Sequence, residues 1–192
     1  MKDAIAVLKS EHRSISAVLH GLKELARMAQ DATVRPRFQV LRSMLRYIDE
    51  YPERLHHPKE DEHLFARVLQ RAPEARALVD QLQAEHREGA QLIRELERAL
   101  LFFEEGWPVG AREFAQAVEA YAEFHWKHMR KEEQELLPIA ERVLTAGDWN
   151  AIDRAFAANR DPVANIEHRD YEKLFTRIAN LAPAPVGLGE RW

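Results

Sequence analysis

Three features of the sequence predict an all-α chain, with four long helices running up-down-up-down and further helices after them. Apolar residues recur at spacings of three and four over long segments, short breaks rich in proline and glycine separate those segments, and no run shows the alternation of a strand. The 192 residues allow one domain with an appendage, and 46% hydrophobic with 31% charged residues is the balance of a soluble globular protein. A net charge of -4 without a basic block weighs against nucleic acid as a partner. No apolar run approaches the roughly 18 residues of a membrane span, so no membrane is expected and the reading is cytoplasmic. The absence of cysteine removes disulfides, thiolate zinc sites, iron–sulfur clusters and nucleophilic thiols, so any metal must be held by nitrogen and oxygen.

The first helix runs from Asp3 to about Gln30, carried by Ile5, Leu8, Ile15, Val18, Leu19, Leu22 and Leu25. His12 falls on or beside that stripe, and His20 at its solvated edge. Pro36 suits the first turn of the second helix, whose apolar positions Phe38, Val40, Leu41, Met44, Leu45 and Ile48 lead into a His-rich stretch. Pro52 and Pro58 interrupt its hydrogen-bond ladder, so a kink or restart is expected there. Pro73 opens the third helix, which continues through His86 to about Phe103 and ends at Gly106-Trp107-Pro108. The fourth runs from about Ala111 to Val143, with Pro138 bending its last part. A shorter helix near Asp148 to Asn159, a break at Asp161-Pro162, a helix from about Asn165 to Ala179 and an extended Pro/Gly-rich end follow. The expected division is a metal-binding bundle over 1–145 and a C-terminal helical appendage packed on it over 146–192.

The chemistry sits in two stretches with one grammar. Leu55-His56-His57-Pro58-Lys59-Glu60-Asp61 and His128-Met129-Arg130-Lys131-Glu132-Glu133 each place a carboxylate four residues after an imidazole, which stacks the two on one helix face. Glu11-His12-Arg13 and Glu85-His86-Arg87 precede them on the first and third helices, so the chain reads as two related helical hairpins. An antiparallel bundle can bring His12, His56, Glu60, His86, His128 and Glu132 to one level of the interior. A lone histidine on an apolar face is more often a satisfied core residue, but the paired motifs outweigh that reading. Imidazole nitrogen with carboxylate oxygen suits iron, manganese or zinc, and six converging groups exceed what a structural zinc site uses, which favours a dinuclear site. His57 is turned about 100° from His56 on an ideal helix, yet the expected kink at Pro58 can bring it inward. His125 lies one turn before His128 on the same side, so both stand as candidate ligands. Tyr121 is second shell or core. Asp61, Glu62 and Glu133 read as a solvated face, and His168-x-x-x-Glu172 as a surface ion pair.

These segments, over about Ala4 to Val143, resemble the hemerythrin-like, or HHE cation-binding, family. The resemblance implies a four-helix bundle with a non-haem, carboxylate-bridged di-iron centre held by His12, His56, Glu60, His86, His128 and Glu132. Zinc or manganese is the alternative filling. The family's roles are oxygen carriage, gas or redox sensing, nitric-oxide chemistry and iron handling, so a small ligand such as oxygen, nitric oxide or peroxide is the implied partner. Turnover of peroxide or nitric oxide, or a helical interaction module with a vestigial or zinc-filled site, are the competing functions. The chain departs from the oxygen carriers. Leu82 and Ala90 flank His86 where a second histidine would stand, and the fourth helix has His-x-x-x-Glu in place of a wider His-to-Asp spacing, which argues against reversible oxygen carriage.

Overall fold

The structure, a computed structural model, describes residues 3–158, 176 and 178–189. Helix α1 (Asp3–Met28) forms the first rod. The second begins with α2 (Phe38–Ile48) and continues through a π-helical segment (Asp49–His56), α3 (His57–Lys59), a second π-helical segment (Glu60–Phe65) and α4 (Ala66–Arg71). A 3₁₀ turn (Pro73–Ala75) leads into the third rod, α5 (Arg76–Gly106). The fourth comprises α6 (Ala111–Lys131), a π-helical segment (Glu132–Leu136) and α7 (Leu137–Val143), after which α8 (Ala146–Ala158) follows. No strand occurs among the described residues.

At Pro52 and Pro58, where a kink or restart is expected, the helix continues through widened turns. The N–H of His57 bonds to the carbonyl of Pro52 in an i→i−5 bond, and the N–H of Leu137 bonds to that of Glu132 in the same way. Each donor is followed at once by a proline, Pro58 or Pro138, which brings no N–H and would crowd the carbonyl four residues back in a regular α-helix. Widening the turn accommodates the ring and keeps the rod continuous. Each widened turn adjoins a His-to-Glu stretch: the first ends at His57 and the second begins at Glu132.

The rods pack in a closed ring: α5 against α6, α6 against α1, α1 against α2, and α2 against α5. Short connections between neighbours require them to run antiparallel. The α5–α6 turn depends on Gly110, whose φ of 91° is left-handed. A Cβ there would also lie 3.0 Å from the Phe102 ring and 3.2 Å from the Phe103 backbone. Helix α8 packs on α1 and on the Glu60–Phe65 segment.

The interior has two apolar cores. One gathers Ile15, Leu19, Leu55, Ile93, Phe114 and Val118 among others. The second gathers Leu8, Leu64, Phe65, Leu82 and Leu136 with Trp149, Ile152 and Phe156 of α8. Along every rod the order is apolar, histidine or carboxylate, apolar: Leu8, His12, Ile15 on the first, and Leu82, His86, Ile93 on the third. A polar layer therefore lies across the bundle between two oily halves.

The end of the chain is not extended. The N–H of Leu188 donates to the carbonyl of Ala179 at 2.8 Å and that of Gly189 to Ala182 at 2.8 Å, folding the segment into turns. Ile178 and Val186 reach the first core, so apolar burial outweighs the tendency of the Pro/Gly-rich sequence to stay open. The break at Asp161-Pro162, most of the helix expected from Asn165, and His168 with Glu172 lie outside the described residues.

Candidate metal centre

The polar layer contains two sets of ligand atoms, and within each set the atoms lie within 4.8 Å of one another: His12, His56, Glu60 and Glu132; and His57, Glu60, His86 and His128. Glu60 belongs to both. Its Oε1 lies 3.4 Å from Nε2 of His56 and 3.8 Å from Nε2 of His12, while its Oε2 lies 3.5 Å from Nε2 of His86. Glu132 is divided in the same way, with Oε2 at 3.2 Å from His12 and Oε1 at 3.3 Å from His128 and 3.6 Å from His86. Each carboxylate thus turns one oxygen toward the His12 side and the other toward the His86 side.

A second ring of acids sets the imidazoles. Nδ1 of His12 lies 2.8 Å from Glu133, Nδ1 of His56 2.8 Å from Glu11, Nδ1 of His86 3.1 Å from Asp61 and Nδ1 of His128 2.9 Å from Glu85. An N–H donated from Nδ1 leaves the Nε2 lone pair facing inward, the tautomer that binds a cation. The internal repeat acquires a physical meaning here. Glu11 also accepts from Lys59 at 2.9 Å, and Glu85 accepts from Lys131, so the acid before each first histidine receives the His and Lys of the following His-x-x-Lys-Glu motif. The acid after each motif crosses to the other hairpin: Asp61 to His86, Glu133 to His12. Asp61 and Glu133 are about a third exposed, so they meet solvent as their neighbourhood in the sequence suggests, but the rods also bring an imidazole to each. Glu62 is exposed.

Electrostatics follow from this packing. Burial alone would depress His12, but Glu132, Glu133 and Glu60 outweigh it and hold the imidazole well above its usual range. The same competition puts His86 at about 10, with Asp61, Glu132 and Glu60 prevailing, and His128 at about 9, with Glu132 and Glu85 prevailing. Glu132 sits well below the ordinary carboxylate range despite its burial, because His128, His12 and His86 surround it. His56 and His57 are 1% and 4% exposed, so neighbours in sequence both face the interior. His57 is pushed well below its usual value by burial and by His86 and His56, and its ring stacks on His86 at 4.2 Å between centroids.

His125 is buried but belongs to neither set. Its Nε2 lies 3.4 Å from Oε1 of Glu53, and burial drives it down to about 3. The Tyr121 hydroxyl donates to the same oxygen at 3.0 Å. Glu53 is a residue that reading the motifs passed over, although Glu53-x-x-x-His57 is the same four-residue spacing in reverse order. Outside the layer, an open cleft of about 800 Å³ between α1 and α6 is lined by Ala17, Met129, His12 and Glu133 among others.

Cations fit this layer. Both oxygens of Glu60, both of Glu132 and Nε2 of His12 are buried without a hydrogen-bond partner among the described residues. Burying such groups unsatisfied costs several kcal/mol each, and positive charge at their common centre removes that cost. A helical bundle with this donor layer is a cation-binding protein by construction. The chain matches the family model of the hemerythrin HHE cation-binding domain over residues 2–140, a span that holds every histidine and carboxylate of the polar layer, and it belongs to that family. A search of curated proteins found no match.

Proposed function

We propose that the protein is a non-haem di-iron protein whose centre binds or senses oxygen, nitric oxide or peroxide, or handles iron. The observation that carries this reading is the division of Glu60 and Glu132, each with one oxygen toward each imidazole set. Two carboxylates so placed suit two cations, since each can join both and offset part of their charge. His12 and His56 would hold one ion, and His57, His86 and His128 the other. A bound iron pair supplies electrons and coordination positions for a small oxygen- or nitrogen-containing ligand.

The remaining chemistry belongs to the chain. The Nδ1 contacts of His12, His56, His86 and His128 fix the ligating tautomer, and the two apolar cores keep bulk water from the layer. The first set offers fewer imidazoles than the second, and octahedral preference calls for about six donors per ion, so the His12 side is where an added ligand binds. That side faces the cleft between α1 and α6.

Iron reconstitution under anaerobic conditions, followed by metal analysis and titration with azide or nitric oxide, tests the reading. Bound iron whose oxidised-state spectrum shifts on adding the ligand is expected. Uptake of zinc alone, with no iron retained, would overturn it.

A further inference from the structure

Tyr121 is linked to the polar layer by two routes. The first is a row of rings. The Tyr121 ring lies 4.4 Å from that of His125 between centroids, His125 lies 5.9 Å from His57 with the planes 5° apart, and His57 stacks on His86 at 4.2 Å with the planes 9° apart. The second route is a carboxylate. The Tyr121 hydroxyl donates to Oε1 of Glu53 at 3.0 Å, and Oε2 of Glu53 lies 3.3 Å from Nδ1 of His57. His57 and His86 belong to the second ligand set, so both routes end on its imidazoles.

The arrangement goes beyond filling the core. Tyr121 is fully enclosed, at 2% exposure, and phenylalanine would fill the same space without bringing a polar atom that needs a partner. Gly89 stands in mid-helix on α5, where glycine is unfavourable relative to alanine. A Cβ there would come within 3.1 Å of Oε1 of Glu53 and 3.3 Å of Cε1 of His125, so the helix gives up a side chain where the acid and the imidazole sit. Burial and the adjacent Glu53 hold the Tyr121 hydroxyl well above its usual range, and it therefore stands as a neutral phenol. A phenol that loses an electron becomes a strong acid, so its proton leaves with the electron when a base lies within hydrogen-bond reach. Oε1 of Glu53 is in that position.

We propose that Tyr121 is a redox-active residue that gives one electron to the di-iron centre when peroxide oxidises it, the electron passing along His125 and His57 and the proton to Oε1 of Glu53. The phenolic O–H bond breaks, a tyrosyl radical remains, and Glu53 becomes a carboxylic acid. Peroxide takes two electrons and two protons as its O–O bond breaks and two waters form. One peroxide therefore balances the oxidation of Tyr121 in two chains, each Glu53 passing its proton on to the water formed, and the iron ends in the state in which it began. The inference rests on the di-iron reading above and names peroxide as the oxidant of that centre.

Electron paramagnetic resonance of the oxidised iron protein, mixed with hydrogen peroxide and rapidly frozen, tests the proposal, with iron content and the azide shift measured on the same samples. An organic radical is expected, whose hyperfine structure collapses when ring-deuterated tyrosine is incorporated. The signal is lost in Tyr121→Phe, which keeps its iron and its azide shift. It is weaker in Glu53→Gln, whose side-chain carbonyl still accepts the hydrogen bond but takes up no proton. The chain has four tyrosines, and a variant carrying Tyr47→Phe, Tyr51→Phe and Tyr171→Phe keeps the signal, an arm that decides the matter even if Tyr121→Phe fails to fold. No radical in wild type that binds iron and shifts with azide would overturn the role of Tyr121 and leave the di-iron reading standing. So would a radical that persists in Tyr121→Phe or is absent from the triple variant, and an undiminished radical in Glu53→Gln would overturn the proton route. Failure of the wild type to retain iron would overturn the di-iron reading, and this proposal with it.

Discussion

Glu11 is a buried carboxylate between two hydrogen-bond donors, His56 and Lys59, and removing its charge measures what the outer ring of acids contributes. Its side chain is 6% exposed and accepts from His56 at 2.8 Å and Lys59 at 2.9 Å. Burial alone would raise its pKa, yet His56 and Lys59 lower it from 4.5 to about 2. At about 1.4 kcal/mol per unit, that difference corresponds to about 3 kcal/mol of stability. Loss of one partner from a buried pair costs a similar 3–5 kcal/mol. A depressed folded pKa contributes above the unfolded value and is lost as pH falls through the folded one. Urea denaturation of metal-free wild type and Glu11→Gln should therefore differ by about 3 kcal/mol at pH 7, and the gap should close between about pH 4.5 and pH 2. A difference under about 1 kcal/mol, or one that persists unchanged to pH 2, would refute the reasoning.

Three further outcomes are expected. His12, His86 and His128 are held above their usual range by the surrounding carboxylates, so a metal ion competes with protons there, zinc loading in weak buffer should release protons and affinity should rise with pH, which a pH-stat titration reads directly. Glu133→Gln should weaken metal binding about 10–100-fold through His12, whereas Glu62→Gln should leave it unchanged in competition titrations. Phe65 is fully buried in the second core and stacks on His86 at 5.5 Å, so Phe65→Ala should cost about 3–5 kcal/mol by denaturant melts and lower metal affinity as well.

Much of the fold could be read from apolar spacing, because each rod buries one face against neighbours on both sides and the period survives in Leu8, Ile15, Leu22 or Val79, Leu82, Ile93. The paired His-x-x-x-Glu motifs located the polar layer because imidazole and carboxylate sit on the same rod. What crosses between rods could not be read. Nothing around Asp61 or Glu133 in the sequence distinguishes a carboxylate that sets His86 or His12 from one that only meets water, and Glu62 beside them does meet water. Sequence places the irregularity at the prolines but not its form: the ladder interrupted at Pro58 and Pro138 widens by one residue. Glu53 was legible in principle, since it stands four residues before His57, but a rule that looks for acids after histidines does not find it.

The central question is whether Glu60 and Glu132 each join two cations. Magnetic susceptibility of the oxidised iron protein, with metal content measured on the same samples of wild type, Glu60→Ala and His12→Ala, tests this most directly. A magnetically coupled iron pair is expected in the wild type, with loss of both irons in Glu60→Ala and loss from the first set alone in His12→Ala. Isolated, uncoupled iron in the wild type, with Glu60→Ala and His12→Ala losing the same single ion, would contradict it.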